Sequence, residues 1–413
     1  TEKVQGKRVV TVEGLSEREK HVYGYAFAAS GAVQCGFCIP GMIISAKGLI
    51  DQNPDPSPAE VKQAIRQDIC RCTGYKKIEE AILLAARLLR EGGEVPEEGL
   101  FGHVGENLTR VDAVSKALGT AEYADDLYLP GMLHGSAVRS RYPRARVVRI
   151  HTEKARALPG VAAVVTAKDI PGERKIGHLK QDWDALIPEG ENTRYVGDAI
   201  VLIAAQTKEQ LEKAKALVEI EYEELPPVRN PAEALAPNAP LIHENGNVLA
   251  GEHLKRGDAD AAIAGSAHAV TMHYSTPFTE HAFLEPETAV ALPEEGGVRI
   301  YSGDQGVYQT RKECAKLLGL PEEKVRVIAK MVGGGFGGKE DMSVQHHAAL
   351  LAYLTQRPVK VSLSRKESLM VHPKRHAMEI DVTLSCDENG CLTAMKAVIT
   401  ADTGAYASLG GPV

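Results

Sequence analysis

The sequence predicts a multidomain protein of the α + α/β class, a four-helix domain followed by mixed α+β domains. Three observations predict it. Four of the seven cysteines stand as Cys35-x-x-Cys38 and Cys70-x-Cys72, with helical sequence around and between the pairs. Past residue 110 the pattern turns to short β-branched runs that alternate with amphipathic helices. A glycine loop, Gly333-Gly334-Gly335-Phe336-Gly337-Gly338-Lys339-Glu340, joins a strand-like run to a helix-like one. At 413 residues the chain is long enough for two to three domains.

Residues 8–13 alternate well enough for a short strand, but that strand has no obvious partner. This, and a first residue that is Thr, suggest sequence missing upstream. Ser16-Glu17-Arg18-Glu19 reads as a capping box, and Val22, Tyr23, Ala26 and Phe27 follow at helical spacing until Gly31. Pro40 suits the start of the next helix, which runs to about Ile50. Ser57-Pro58-Ala59-Glu60 restarts a helix after a turn at residues 53–56. That helix turns Val61, Ala64, Ile65 and Ile69 inward and delivers Cys70 and Cys72. A last helix spans about residues 77–90 and closes at Gly92-Gly93. Four helices around four thiolates make a domain over 1–92, small enough for a metal centre to help hold it. Residues 93–109 read as a linker, 110–235 as one α/β domain and 236–413 as the first part of another. Within these, strands are expected near 133–138, 147–151, 161–166, 199–204, 218–222, 268–276, 286–292, 297–302, 325–332, 358–364, 376–385 and 391–400. Helices are expected near 208–217, 306–318 and 343–355. The end at residues 410–413 carries no capping element and reads as truncated.

Apolar residues at 44% and charged residues at 25% are ordinary for a globular protein. The net charge of −7, with no basic block, argues against nucleic acid or an anionic membrane as the main partner. No run of about 18 apolar residues is present to cross a bilayer. Few, clustered and odd-numbered cysteines suit a reducing cytoplasm and a metal site rather than a disulfide scaffold.

Thiolate softness leaves zinc and iron–sulfur both open at Cys35, Cys38, Cys70 and Cys72. Ligands at helix ends, a CxC second pair and some thirty helical residues between the pairs favour iron–sulfur. Gly333 to Lys339 matches the start of a phosphate-binding loop, but Glu340 stands where Mg²⁺ needs Ser or Thr, so nucleotide hydrolysis is excluded. The loop still lets backbone approach a ligand closely, and a helix start after it offers N–H groups to an anion or oxo group. A tight strand-to-helix turn is the alternative, although a lone Phe336 among the glycines is odd for turn-making alone. Glu340 alone reads as a first-turn residue favoured by the helix dipole, and Gln305 as an ordinary loop amide. His281 and Glu285 share a helical face by spacing but lack a third ligand, which favours packing. His346-His347 reads as one surface and one core residue. Cys314, Cys386 and Cys391 look isolated.

Together these residues resemble the xanthine oxidase family of molybdenum hydroxylases. The resemblance rests on Gln34-Cys35-Gly36-Phe37-Cys38-x-Pro40-Gly41 with Cys70-Arg71-Cys72-Thr73-Gly74-Tyr75, on Arg110-Val111-Asp112, Tyr195-Val196-Gly197-Asp198 and residues 219–228, and on the glycine loop. It implies a helical [2Fe–2S] domain followed by a hammerhead-like domain and part of a molybdopterin-binding domain. Cys35, Cys38, Cys70 and Cys72 would then ligate the cluster, and Gln34 and the neighbourhood of Cys72 would touch the pterin. Gln305 would hydrogen-bond an oxo group on molybdenum, and Gly335, Phe336 and Gly337 would line the metal. Glu340 matches the glutamate that orients the heterocycle in purine-hydroxylating members. The implied activity is hydroxylation of a purine such as xanthine or hypoxanthine with water as oxygen donor. The alternatives are an aldehyde oxidoreductase of the same family and a non-catalytic electron-transfer subunit. A ferredoxin-like domain, a flavin domain and the half with the catalytic base are missing from the pattern. The resemblance therefore implies a fragment inactive alone, a homo- or hetero-oligomer, FAD only in a partner subunit or another electron acceptor in its place, and a cytoplasmic location.

Overall fold

The computed structural model describes residues 4–96 and 102–411. Part of the expected linker, residues 97–101, lies outside these, as do residues 1–3 and 412–413 at the two ends. The chain forms two compact units. The first is made of residues 1–127 with two short returns, 282–286 and 329–336; the second is the remainder.

The first unit is helical. It contains α1 (Glu17–Ala29), α2 (Ile39–Ile50), α3 (Pro58–Ala64), α4 (Lys76–Glu91) and α5 (Ala113–Ala117). Both expected capping boxes are present: Ser16 and Glu19 open α1, and Ser57 and Glu60 open α3. Gly92, with φ of 69°, closes α4 as a left-handed cap. The apolar stripes meet in one core that includes Val22, Tyr23, Phe27, Met42, Ile43, Ile78 and Ile82. Each large side chain sequestered there contributes about 1.5–3 kcal/mol.

Two expectations fail in this unit. Residues 8–13 form no strand; the chain makes a 3₁₀ turn at Val12–Gly14, and Val12 drops into the helical core instead. Ile69 does not point inward, because α3 stops at Ala64 and the next residues run as a loop that leaves Ile69 exposed.

In the second unit the strands are β1 (Leu133–Arg139), β2 (Ala145–His151), β3 (Val161–Val165), β4 (Lys175–Ile176), β5 (Trp183–Asp184), β6 (Asn192–Thr193), β7 (Ala199–Ala205), β8 (Glu219–Glu224), β9 (His268–Thr276), β10 (Thr288–Glu294), β11 (Gly297–Ser302), β12 (Val325–Ala329), β13 (Val359–Ser362), β14 (Ala377–Cys386) and β15 (Leu392–Asp402). The helices are α6 (Glu153–Arg156), α7 (Lys208–Ala216), α8 (Pro231–Ala234), α9 (Ala259–Ala264), α10 (Val307–Leu318), α11 (Gln345–Thr355) and α12 (Arg365–Val371). The main sheet has the order β12-β11-β10-β13-β1-β7-β3. β1 and β13 pair in parallel, and β1–β7, β10–β11, β10–β13 and β3–β7 pair antiparallel. β7 is buried along its whole length, which explains its continuous apolar run. α11 packs on β10, β11, β13 and β1, and the core there holds Leu133, Leu202, Ile300, Leu317 and Leu351. On the other face of β7, α7 brings Leu211 and Ala214 against Ile203 and Val164.

A separate sheet, β15-β14-β9, has two unlike faces. The register sets Val270 opposite Leu384 and Tyr274 opposite Ile380, with Met395 and Ile399 completing these rows on β15. Val270, Met272, Tyr274, Leu384, Met395 and Ile399 are all exposed. Residues one step along the strands face the other way and are mostly polar: Thr271 bonds Thr383 at 2.9 Å, and His273 lies 2.9 Å from Asp381 and 3.0 Å from Glu379. No helix among the described residues is long and apolar enough to cross a membrane.

Candidate functional site

Cys35 and Cys38 occupy the turn that enters α2, and Cys70 and Cys72 the loop between α3 and α4. All four thiols are free and half-buried. Gly36 permits the first turn: its φ is 84°, and a Cβ there would stand 2.5 Å from the Lys116 side chain. The four thiols meet. Cys35 is hydrogen-bonded to Cys72, and Cys70 to both Cys38 and Cys72. The bond from Cys72 draws Cys35 down to about 7, and bonds from Cys38 and Cys72 hold Cys70 far below the thiol range. Cys38, donating to Cys70, and Cys72, donating to Cys35 and Cys70, are pushed well up. Four soft sulfur donors thus converge on one point, a donor set that fits a cationic centre bound by four thiolates.

Supporting contacts fix this loop. Thr73 Oγ1 lies 3.1 Å from Cys70 Sγ. Tyr75 Oη accepts from the Cys70 N–H at 2.9 Å and donates to Asp68 O at 3.2 Å. Tyr123 donates to Cys35 O at 2.8 Å, and its ring meets Phe37 edge-on at 5.2 Å. Buried Lys116 pairs with Asp112 at 2.9 Å and reaches Gln34 O at 3.4 Å. The hydrogen bond from Arg110 draws Asp112 down to about 2. The Arg110-Val111-Asp112 motif therefore serves to hold a lysine beneath the first cysteine turn. The Gln34 side chain is exposed.

The glycine loop is shared between the units. Gly333 to Phe336 belong to the unit that carries the cysteines, Gly337 to Glu340 to the other. The Gly333 N–H donates to Glu285 Oε2 at 2.6 Å. A Cβ at Gly333 would stand 2.3 Å from Glu285 Cβ and 2.9 Å from the Phe37 ring. Gly335 is buried, while Phe336 is half-exposed in a left-handed conformation with φ of 55°. The Arg71 guanidinium, between two of the cysteines, lies 5.9 Å from the Phe336 ring centroid.

In the second unit Gln305 and Lys339 exchange two hydrogen bonds. Gln305 N–H donates to Lys339 O, and Lys339 N–H donates to Gln305 Oε1, both at 3.1 Å. This fixes the amide with its oxygen engaged, in a residue that is exposed. Glu340 is exposed as well. The helix expected near 343–355 is present, but it lies past Glu340 rather than at it. α11 begins only at Gln345, and Gln345 Oε1 takes the N–H groups of Ser343 and Val344 at 3.1 and 3.2 Å. Glu340 is therefore a loop residue, not a first-turn one.

Asp304 is a further site residue, one that the motifs did not point to. Buried beside Gln305, it accepts from Gly306 N–H at 2.6 Å, Thr310 Oγ1 at 2.7 Å and Gln345 Nε2 at 3.1 Å. An Asp directly before the candidate amide, three residues ahead of α10, was the available signal. Three expectations about histidine change. His346 and His347 are both buried, because α11 lies under the sheet. His281 and Glu285 share no helix, since residues 280–286 are irregular. His281 does gain a distant ligand-type neighbour, His372. Cys314 is a core thiol, 3.6 Å from Met342 Sδ.

The comparisons with known proteins accord with these features. Residues 11–83 match the [2Fe-2S] binding domain, residues 118–226 the a/b hammerhead domain of aldehyde oxidase and xanthine dehydrogenase, and residues 242–413 the molybdopterin cofactor-binding domain. A probable xanthine dehydrogenase component of Bacillus subtilis is 42% identical over 74% of this chain and 41% of its own length. The nicotinate dehydrogenase large molybdopterin subunit of Eubacterium barkeri is 40% identical over 75% of this chain and 73% of its own. The solved aldehyde oxidoreductase of Desulfovibrio gigas superposes with a TM-score of 0.88 at 29% identity, over 95% of this chain and 46% of that one. The chain thus spans less than half of the Bacillus protein and of the solved oxidoreductase. It carries a [2Fe–2S] binding domain and a molybdopterin cofactor-binding domain, and it belongs to the xanthine oxidase family of molybdenum hydroxylases.

Proposed function

We propose that the protein to which this chain contributes hydroxylates a purine or a related N-heterocycle, with the oxygen taken from water and two electrons passed on through [2Fe–2S] clusters. The observation that carries the reading is Glu340. It is an exposed carboxylate at the end of a loop whose backbone is tied to Gln305. A carboxylate there suits a heterocycle N–H, and an aldehyde offers it no such donor.

Cys35, Cys38, Cys70 and Cys72 hold the cluster, and Gln34 with the backbone near Cys72 contacts the pterin. Gln305 offers its Nε2–H₂ to an oxo ligand, while Gly335, Phe336 and Gly337 line the metal's face. The bound molybdenum centre supplies the water-derived oxygen and accepts the electron pair. The share of this chain is to hold the substrate and to stabilise charge that develops on it. No general base is assigned to this chain, and a flavin subunit or another acceptor takes the electrons. The domain reading is 1–92 for the cluster, 93–109 as linker, 110–235 for the hammerhead-like region and 236–413 for cofactor binding, in a cytoplasmic assembly.

Aldehyde oxidation is the second reading, favoured by the similarity over 95% of the chain to a solved aldehyde oxidoreductase. Glu340→Val in the complete enzyme separates the two. Loss of a charged hydrogen bond worth about 1.5–3 kcal/mol lowers purine kcat/KM about 10–150-fold and leaves aldehyde turnover nearly unchanged. Equal losses on both substrates would refute the purine reading.

A further inference from the structure

Away from the cysteines and the glycine loop, two segments of the second unit bring together Glu280, His281 and His372. One ligand atom from each lies within 4.8 Å of the others. An antiparallel bridge joins the segments, with the Arg375 N–H donating to Thr279 O at 3.1 Å. His372 caps the end of α12 and is buried. Its Nδ1 is 2.8 Å from Glu287 Oε1, and its Nε2 is 3.2 Å from His281 Nδ1. Burial, reinforced by His372, holds the basicity of His281 below its ordinary value. Burial works to raise Glu287, but the hydrogen bond and charge interaction with His372, with smaller hydrogen bonds beside them, together outweigh it and keep that carboxyl low.

We propose that Glu280, His281 and His372 form a binding site for a divalent transition ion of the zinc type, with Glu287 orienting His372. Two imidazole nitrogens on a tetrahedral ion, each about 2.0–2.1 Å from it, stand about 3.3 Å apart. The histidine pair is already at 3.2 Å. The Glu287 carboxylate on the far nitrogen of His372 is the contact that fixes the tautomer and orientation of a ligating imidazole. Glu280 adds a carboxylate oxygen, and two imidazoles with one carboxylate suit zinc, cobalt or nickel over magnesium or calcium. Lys374 Nζ lies 3.1 Å from Glu280 Oε2, so this ammonium competes with the ion for the carboxylate.

The test is calorimetric titration with zinc of the protein carrying its assembled [2Fe–2S] cluster, so that the four thiolates are occupied. Zinc is expected to bind one further site per chain. His281→Ala, a half-buried position that tolerates truncation, is expected to weaken that site by at least about tenfold. Lys374→Met is expected to tighten it, and cobalt(II) to give the visible bands of a four-coordinate ion in the wild type and not in His281→Ala. Absence of a further zinc site overturns the proposal. So does zinc affinity that is the same in the wild type, His281→Ala and Lys374→Met.

Discussion

Asp198 offers a quantitative test of how a buried carboxylate is held. It is fully buried; its Oδ2 accepts from the Arg194 N–H at 2.6 Å and its Oδ1 from Tyr406 Oη at 2.8 Å. Burial raises it from 3.8 to about 6, and the hydrogen bonds only partly offset that rise. Because the folded value lies above the unfolded one, the contribution to stability is full below about pH 4. It is lost as pH rises through about 6. The upward displacement of Asp198 corresponds to about 3 kcal/mol, roughly half of it falling between about pH 5 and about pH 8. Asp198→Asn keeps an acceptor for the backbone N–H groups, and the Tyr406 hydroxyl rotates to accept from the new amide. The variant is expected to lack this slope. Urea unfolding read from Trp183 suits the measurement, since it is the single tryptophan and stacks on Tyr406 at 5.5 Å. All other titrating groups are common to both proteins and cancel in the difference. Parallel stability–pH curves for the two proteins would refute the reasoning.

Gly333→Ala forces a methyl group against Glu285 and Phe37 and is expected to cost about 1–3 kcal/mol, read as a lowered melting temperature. An unchanged melting temperature would mean that the loop yields freely. Cys70→Ser removes the thiol at the centre of the sulfur network and is expected to abolish the visible [2Fe–2S] spectrum, with iron content falling in step. Retention of both would remove Cys70 from the ligand set. Phe27→Ala empties a fully buried position and is expected to cost about 3–5 kcal/mol in unfolding of the helical unit.

Local chemistry made much of this legible. Capping boxes announced α1 and α3 because the signal lies within four residues, and β7 announced itself because burial on both faces demands an unbroken apolar run. Spacing alone marked the four cysteines as a soft-metal site, with zinc and iron–sulfur both open. Which sulfurs meet was not readable, since it depends on how two separate loops fold. The strand expected at residues 8–13 failed because alternation creates a strand only where a partner edge exists. The first-turn reading of Glu340 failed because the helix begins five residues later, at Gln345. His372 was illegible for a different reason: it acts through residues that are distant in sequence, His281 and Glu287. Asp304 left a local signal, but its bond from Gln345 did not.

The two-faced sheet of β9, β14 and β15 has a colloidal consequence. An apolar face carrying Val270, Met272, Tyr274, Leu384, Met395 and Ile399 lies open to water, while the charges sit on the reverse. Sulfate and other excluded salts strengthen attraction between such faces, and they also screen the net charge of −7 that keeps molecules apart. Both effects act in the same direction, so the solubility of this chain falls steeply with salt, and its interparticle attraction is directional, set by the plane of one small sheet.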